Sequence, residues 1–190
     1  MKPDPDPGQP HNLFPFVLAV ASGVATGVLW AYANPIQLVP GVIQWRIFAF
    51  LPPLIGLLFG PRTGFVCGYL GTVVWSLLAG TFIPLHTLVV DGLTVGLTGA
   101  VPPLVLKLRP GQPEPRHLLI RVAGVCALTG VFMVIAVSAS LAYLGVFPFW
   151  FALLNLGLSD IVPMVIGTPL LVRPGLRIVA GLGRGKAHRF

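Results

Sequence analysis

Long uncharged stretches, rich in Leu, Val, Ile, Phe, Ala and Gly, divide this chain into regular segments. No Asp, Glu, Lys or Arg occurs between Asp6 and Arg46, from Thr63 to Val90, or from Val122 to Ser159. Such stretches accommodate helices of about 20 residues, the length needed to cross a hydrocarbon core of about 30 Å. They lack the alternation of apolar and polar residues that a membrane β-barrel requires. The pattern therefore predicts membrane-spanning α-helices.

The predicted fold is all-α: a polytopic membrane protein with a six-transmembrane-helix bundle. The helices are expected at about residues 14–33, 44–60, 63–80, 83–106, 118–144 and 148–172. Pro52 and Pro53 should kink the second helix, because a proline ring clashes with the preceding turn. The helical domain thus covers residues 14–172. A disordered, Pro-rich cytosolic tail at 1–13 and a basic cytosolic tail at 173–190 are expected to flank it.

Composition supports a membrane protein and excludes soluble enzyme folds. Of the 190 residues, 55% are hydrophobic and 9% are charged, and the mean hydropathy is +0.90. A soluble domain has roughly 25% charged residues. This chain has too little polar surface to cover a globule in water.

Lys and Arg are distributed unevenly between the two sides that six alternating helices would create. With both termini on one side, that side carries every Lys and Arg except Arg46. Positive residues concentrate in cytoplasmic loops, so we expect both termini to be cytoplasmic. The net charge of +7 is then a topology signal and not a nucleic-acid site.

Small residues spaced four apart predict close contacts between helices, because backbone packing drives helix association in lipid. The three rows are Gly60, Gly64 and Gly68; Gly92, Gly96 and Ala100; and Ala21 and Ala25, with Gly23 and Gly27 alongside.

Two acidic residues, Asp91 and Asp160, fall within predicted spans, where a carboxylate costs about 2.5–3.5 kcal/mol on insertion scales. Thr87, Asp91, Thr94 and Thr98 follow spacings of four, three and four, which places them on one helix face. That face should line the bundle interior. For Asp160, both a structural role and contact with a ligand are open.

With a cytoplasmic N-terminus, several aromatic and polar residues lie in the outer half of the bundle, where they would form a pocket for a small, partly aromatic nutrient. Arg46 would contact an anionic or carbonyl group, Asp91 and Asn155 would form hydrogen bonds, and aromatic rings would stack or close over the ligand. The candidate substrate-binding residues are Arg46, Trp75, His86, Asp91, Tyr143, Trp150 and Asn155. The alternative interpretation places the tryptophans and His86 at the membrane interface, with Asp91 bonded inside the bundle.

Catalysis finds little support in the sequence. HExxH, GxSxG and Walker A motifs are absent, and no His/Cys cluster occurs. We expect no enzymatic activity, no catalytic residues, no metal and no cofactor. An active pump would need a partner that hydrolyses ATP.

Three stretches resemble the substrate-binding S component of energy-coupling factor (ECF) vitamin transporters. They are RIFAFLPPLIGLLFGPRTGFVCGYLGTVVWSLLAG, DGLTVGLTGAVPP and NLGLSDIVPMVIGTPLLV, and the FGPxxGFxxGxxG run is the most specific part. The resemblance implies a vitamin-binding protein in a bacterial or archaeal cell membrane. Its partners would be a transmembrane coupling protein and two ATP-binding ATPase subunits.

The resemblance also implies roles for two segments. Ala21 and Ala25 match the AxxxA motif that contacts the coupling protein, and residues 34–45 correspond to a lid over the ligand. Two other classes stay open: a membrane sensor or scaffold module without transport, and a six-helix enzyme that uses Asp91 or His86 as an acid or base.

Overall fold

The protein is a bundle of helices in a computed structural model that describes residues 13–33, 37–39, 43–108 and 117–187. In chain order the elements are α1 (Leu13–Tyr32), β1 (Gln37–Val39), β2 (Ile43–Gln44), a 3-10 turn (Ile47–Phe50), α2 (Leu51–Phe59), α3 (Pro61–Leu78), the first π-turn (His86–Asp91), α4 (Gly92–Leu106), α5 (Leu118–Tyr143), α6 (Phe149–Leu156), the second π-turn (Gly157–Ile161) and α7 (Val162–Ala187). The first π-turn leads directly into α4, and α6, the second π-turn and α7 are continuous.

The all-helical prediction is confirmed, since each of the six predicted segments is helical. Within the described ranges, the one departure from an all-α chain is a small antiparallel hairpin, in which Gln37 pairs with Gln44. The last helix also continues to Ala187 instead of ending near residue 172. Within this extension, Gly175 of α7 packs closely against Leu58 of α2. The cytosolic location of residues 173–190 stays a prediction.

Four helices in the described part of the chain are long and apolar enough to span a membrane. They cover Phe14–Tyr32, His86–Leu106, Leu118–Tyr143 and Phe149–Gly181, and Ile47–Phe59 forms a shorter apolar helix. These features are typical of a multi-pass membrane protein.

Helix α1 packs against α3 through a face of small residues. A Cβ atom added at Gly23 would lie 2.8 Å from the Cβ of Leu70, and one at Gly27 would lie 2.6 Å from the Cβ of Val74. Ala21 and Ala25 are two positions away from these glycines, about 200° around the helix, and both are exposed. The two rows of α1 therefore have different surroundings: one is packed inside the bundle and the other faces outward.

Helices α2, α3 and α4 meet backbone to backbone at Gly56, Gly64 and Gly99. An added Cβ at any of the three would overlap a backbone atom of a neighbouring helix. The predicted close contact at Gly64 is therefore confirmed. The prediction for Gly60 is wrong: this residue has a φ of +102° and joins α2 to α3, so it forms a turn that favours glycine.

The buried apolar side chains form two clusters. One contains Trp30, Trp75, Met133 and Leu156, and the other contains Leu54, Leu118, Val122 and Met164. The first cluster lies beside the cavity described next, since Trp75 and Leu156 belong to both.

Candidate binding cavity

A cavity of about 320 Å³ lies at the end of the bundle where α3 ends and the first π-turn begins. This volume is at the lower end of the range for small-molecule sites. Its walls combine aromatic and aliphatic side chains with a small number of polar ones. The lining residues are Gln44, Arg46, Trp75, Ser76, Gly80, Thr81, Phe82, Ile83, His86, Thr87, Asp91, Val137, Leu141, Val146, Phe147, Leu156 and Ser159.

Four of the seven residues predicted to bind substrate line this cavity: Arg46, Trp75, His86 and Asp91. They come from the segment after the hairpin, from α3 and from the first π-turn. Residues far apart in the sequence are thus brought to one end of the bundle, as the alternation of helices predicted.

The structure places the other three predicted residues, Tyr143, Trp150 and Asn155, outside the cavity. Tyr143 is 89% exposed and Trp150 is 71% exposed. The Asn155 side chain donates a hydrogen bond from Nδ2 to the carbonyl oxygen of Phe151, at 2.8 Å. Successive helical residues are about 100° apart, and α6 turns the neighbouring Leu156 towards the cavity instead. The depth of a residue along a helix does not determine the direction in which its side chain points around the helix axis.

Arg46 is buried and has three partners. Its guanidinium carbon lies 3.9 Å from the ring centroid of Trp75 and 5.4 Å from that of Trp30. Its Nη1 lies 3.8 Å from Oδ1 of Asp160. Cation–π contacts of this kind strengthen when they are shielded from water. The single basic residue predicted on the outer side is therefore held inside the bundle, at 7% exposure.

Both acidic residues of the predicted spans lie in π-turns. Asp91 ends the first π-turn and lines the cavity, whereas Asp160 lies in the second and faces Arg46. A π-turn accommodates an extra residue in a helix and occurs frequently at functional sites. No sequence pattern identified these turns, and they change which residues of the fourth and sixth predicted helices face inward.

Hydrogen bonds hold the first π-turn against its neighbours. His86 Nδ1 and Ser140 Oγ are 2.9 Å apart, which ties the turn to α5. The backbone N–H of Ile83 donates to Thr87 Oγ1 at 3.2 Å, and the N–H of Thr87 donates to the Ile83 carbonyl at 2.7 Å. The position of His86 at the cavity wall is therefore fixed by contacts on two sides.

The predicted polar face of the fourth helix is buried, but its four members have different roles. Thr87 and Asp91 line the cavity. Thr94 and Thr98 instead donate to backbone carbonyls of their own helix, at 2.7 Å to Val90 and 2.7 Å to Val95. Short hydroxyl side chains often bond to the preceding helical turn in this way.

Sequence reasoning missed several residues of the cavity wall, among them Thr81, Phe82, Phe147 and Ser159. Thr81 and Phe82 lie in the connection that follows Gly80, whose φ is +69°. The GTFIP run between two predicted helices could have indicated Thr81 and Phe82. It connects the helix of Trp75 to the segment of His86, which was predicted on the same side of the bundle.

Two polar atoms of cavity residues are buried without a hydrogen-bond partner in the described part of the chain. They are the indole Nε1 of Trp75 and the hydroxyl Oγ1 of Thr81. Buried polar groups are normally paired, so these two atoms are exceptions. The described residues contain no group of three or more His, Cys, Asp or Glu side chains that could hold a metal ion.

The predicted lid, residues 34–45, is described at 37–39 and 43–45, and its other residues lie outside the described ranges. Val39 pairs with Ile43 in the hairpin, and Gln44 lines the cavity. This segment therefore contributes directly to the cavity wall.

Comparison with known proteins assigns no family to the chain. No protein-family model, curated protein or solved structure matches it. The functional conclusion therefore depends on the cavity and the residues around it.

Proposed function

We propose that this protein is the substrate-binding S component of an ECF-type importer, with six membrane spans and both termini in the cytoplasm. It captures a vitamin or related micronutrient from outside the cell, and partner subunits drive uptake with ATP. The observation that carries the proposal is the cavity of about 320 Å³ lined by Arg46, Trp75, His86 and Asp91. Buried charges next to aromatic rings in a concave site suit a small polar ligand.

The position of the cavity supports capture from outside. It lies beside the C-terminal end of α3, the start of the first π-turn and the hairpin that follows α1. With a cytoplasmic N-terminus, these ends of the helices face the exterior. The hairpin residue Gln44 then belongs to a cover over the ligand.

The outward-facing row of α1 supports the proposed partners. Ala21 and Ala25 are exposed, and the Val24 and Val28 side chains beside them are 43% and 41% exposed. Small residues let another helix approach closely in a membrane. This row would contact the transmembrane coupling protein, which binds the two ATPase subunits.

Native mass spectrometry of the gently purified full chain tests ligand capture. We expect one retained small molecule per protein, which is lost in Asp91→Ala. The matched control is Asn155→Ala, which removes a polar side chain outside the cavity and should keep the ligand. Co-purification of a coupling protein and ATPases from the native membrane would support the transporter assignment.

Two results would contradict the proposal. A folded protein that retains nothing and binds no member of a vitamin panel would favour a membrane sensor or scaffold module without transport. Chemical conversion of a ligand by the purified chain would favour an enzyme.

A further inference from the structure

The charges around the cavity select for the charge of the ligand. Of the described residues that line it, the ones with charged or titratable side chains are Arg46, His86 and Asp91. Asp160 lies behind Arg46 and interacts electrostatically with both Arg46 and Asp91. These four groups therefore determine the electrostatic potential that a ligand meets.

The positive charge of Arg46 is already paired. Its guanidinium is 3.8 Å from the Asp160 carboxylate and lies over the Trp75 ring at 3.9 Å. An anionic ligand would have to compete with Asp160 for this guanidinium. The sequence predicted that Arg46 binds an anionic group of the ligand, but within the protein Asp160 already occupies that position.

The cluster as a whole carries no excess positive charge. When both carboxylates are ionised, one arginine and two aspartates give a formal charge of −1 with His86 neutral and 0 with His86 protonated. The Asp91 side chain is 5% exposed, faces the cavity and interacts electrostatically with Arg46 and His86. Because a buried carboxylate needs a compensating charge, a cation beside Asp91 would complete the pairing.

A second observation points independently to a ligand. The Trp75 side chain is 9% exposed, it lines the same cavity, and its Nε1 has no hydrogen-bond partner in the described part of the chain. An indole N–H donates only, so it requires an acceptor atom. Phe82 and Phe147 add aromatic rings to the wall, and such rings attract cations.

We infer that the cavity takes an organic cation with a planar ring and a hydrogen-bond acceptor, whose positive charge lies beside the Asp91 carboxylate and whose acceptor meets Trp75 Nε1. This inference rests on the proposed function and narrows its substrate class. It differs from the sequence-based expectation of an anionic group beside Arg46, because it places a cationic group beside Asp91.

Three probes that share one ring test the charge preference: nicotinate as the anion, nicotinamide as the neutral form, and the ring-N-methylated cation of nicotinamide. Binding to the full-length protein in lipid nanodiscs is followed by tryptophan fluorescence and by thermal stabilisation. We expect the cation to bind at least about tenfold more tightly than the other two probes. In Asp91→Asn this preference should fall below about threefold, and Asp91→Glu, which keeps the charge, should restore it.

The ranking of the probes in the unmutated protein decides the inference even if a variant does not fold. Tighter binding of nicotinate, equal binding of the three probes, or no binding of the cation would overturn it. The charge of a ligand released from the native protein is the second measurement. A neutral or anionic ligand would also overturn the inference. The proposed function would survive those results, and it fails if the protein binds no small molecule at all or chemically converts its ligand.

Discussion

Arg46 and Asp160 form a buried ion pair at 3.8 Å between the segment after the hairpin and the second π-turn. The distance exceeds that of a hydrogen bond, and Asp160 Oδ1 has no hydrogen-bond partner in the described part of the chain. Arg46 also lies over Trp75 of α3. One guanidinium thus connects three parts of the bundle around the cavity.

Replacing Asp160 with alanine should destabilise the protein by about 3–5 kcal/mol, because buried Arg46 would lose the carboxylate that lies 3.8 Å from its guanidinium. The free energy of unfolding in mixed detergent micelles measures the loss. Replacing both residues, as in Arg46→Met with Asp160→Leu, should recover most of it. Equal stability of Asp160→Ala and the unmutated protein would show that the pair is not needed for folding.

Replacing Gly99 with alanine should destabilise the bundle by about 1–3 kcal/mol, because the new methyl group would overlap the backbone of Gly64. The matched control is Gly124→Ala on α5, where an added Cβ has nothing within 4 Å. The same unfolding assay should show no loss in the control. Similar losses in both variants would contradict backbone contact as the cause.

Replacing Ala21 and Ala25 with leucine should abolish transport and complex formation but leave ligand binding intact, because both positions are exposed and away from the cavity. Uptake of labelled ligand into cells and co-purification with the ATPases measure the first two effects. The control is Ala139→Leu, an exposed alanine on α5. Unchanged uptake in the double variant would exclude this row as the docking face.

Replacing Trp75 with phenylalanine should weaken ligand binding by about 2- to 13-fold, which corresponds to the loss of one hydrogen bond worth about 0.5–1.5 kcal/mol. A six-membered aromatic ring is kept, so an aromatic face remains next to Arg46. Trp150→Phe is the control, because Trp150 lies on the exposed surface. Titration of the identified ligand measures both, and equal effects would argue against a role for the Trp75 N–H.

The helices and four residues of the candidate site, Arg46, Trp75, His86 and Asp91, follow from sequence patterns. The uncharged stretches predict where helices form. The free-energy cost of burying a carboxylate in a membrane identified Asp91 as unusual. The positions of Tyr143, Trp150 and Asn155 could not be obtained in this way. Their orientation depends on the rotation of α5 and α6 about their own axes, which tertiary packing determines and local spacing does not.

The partner of Arg46 was also hidden from sequence reasoning. Asp160 was recognised as unusual, yet its pairing with Arg46 joins distant parts of the chain. Long-range pairs of this kind are fixed by tertiary packing and not by local spacing. Trp30, the second ring near Arg46, was missed for the same reason.

The contact of Gly56, Gly64 and Gly99 lies near the N-terminal end of α3, the opposite end of that helix from the cavity, and at the middle of α4. With no side chains between the three backbones, these helices have little freedom to slide or separate there. Any widening that admits a ligand must then come from the other end, where the hairpin, the α3–α4 connection and the first π-turn meet. The glycines would act as a fixed pivot, so substitutions among them should change how fast a ligand enters and leaves even though none of them touches it.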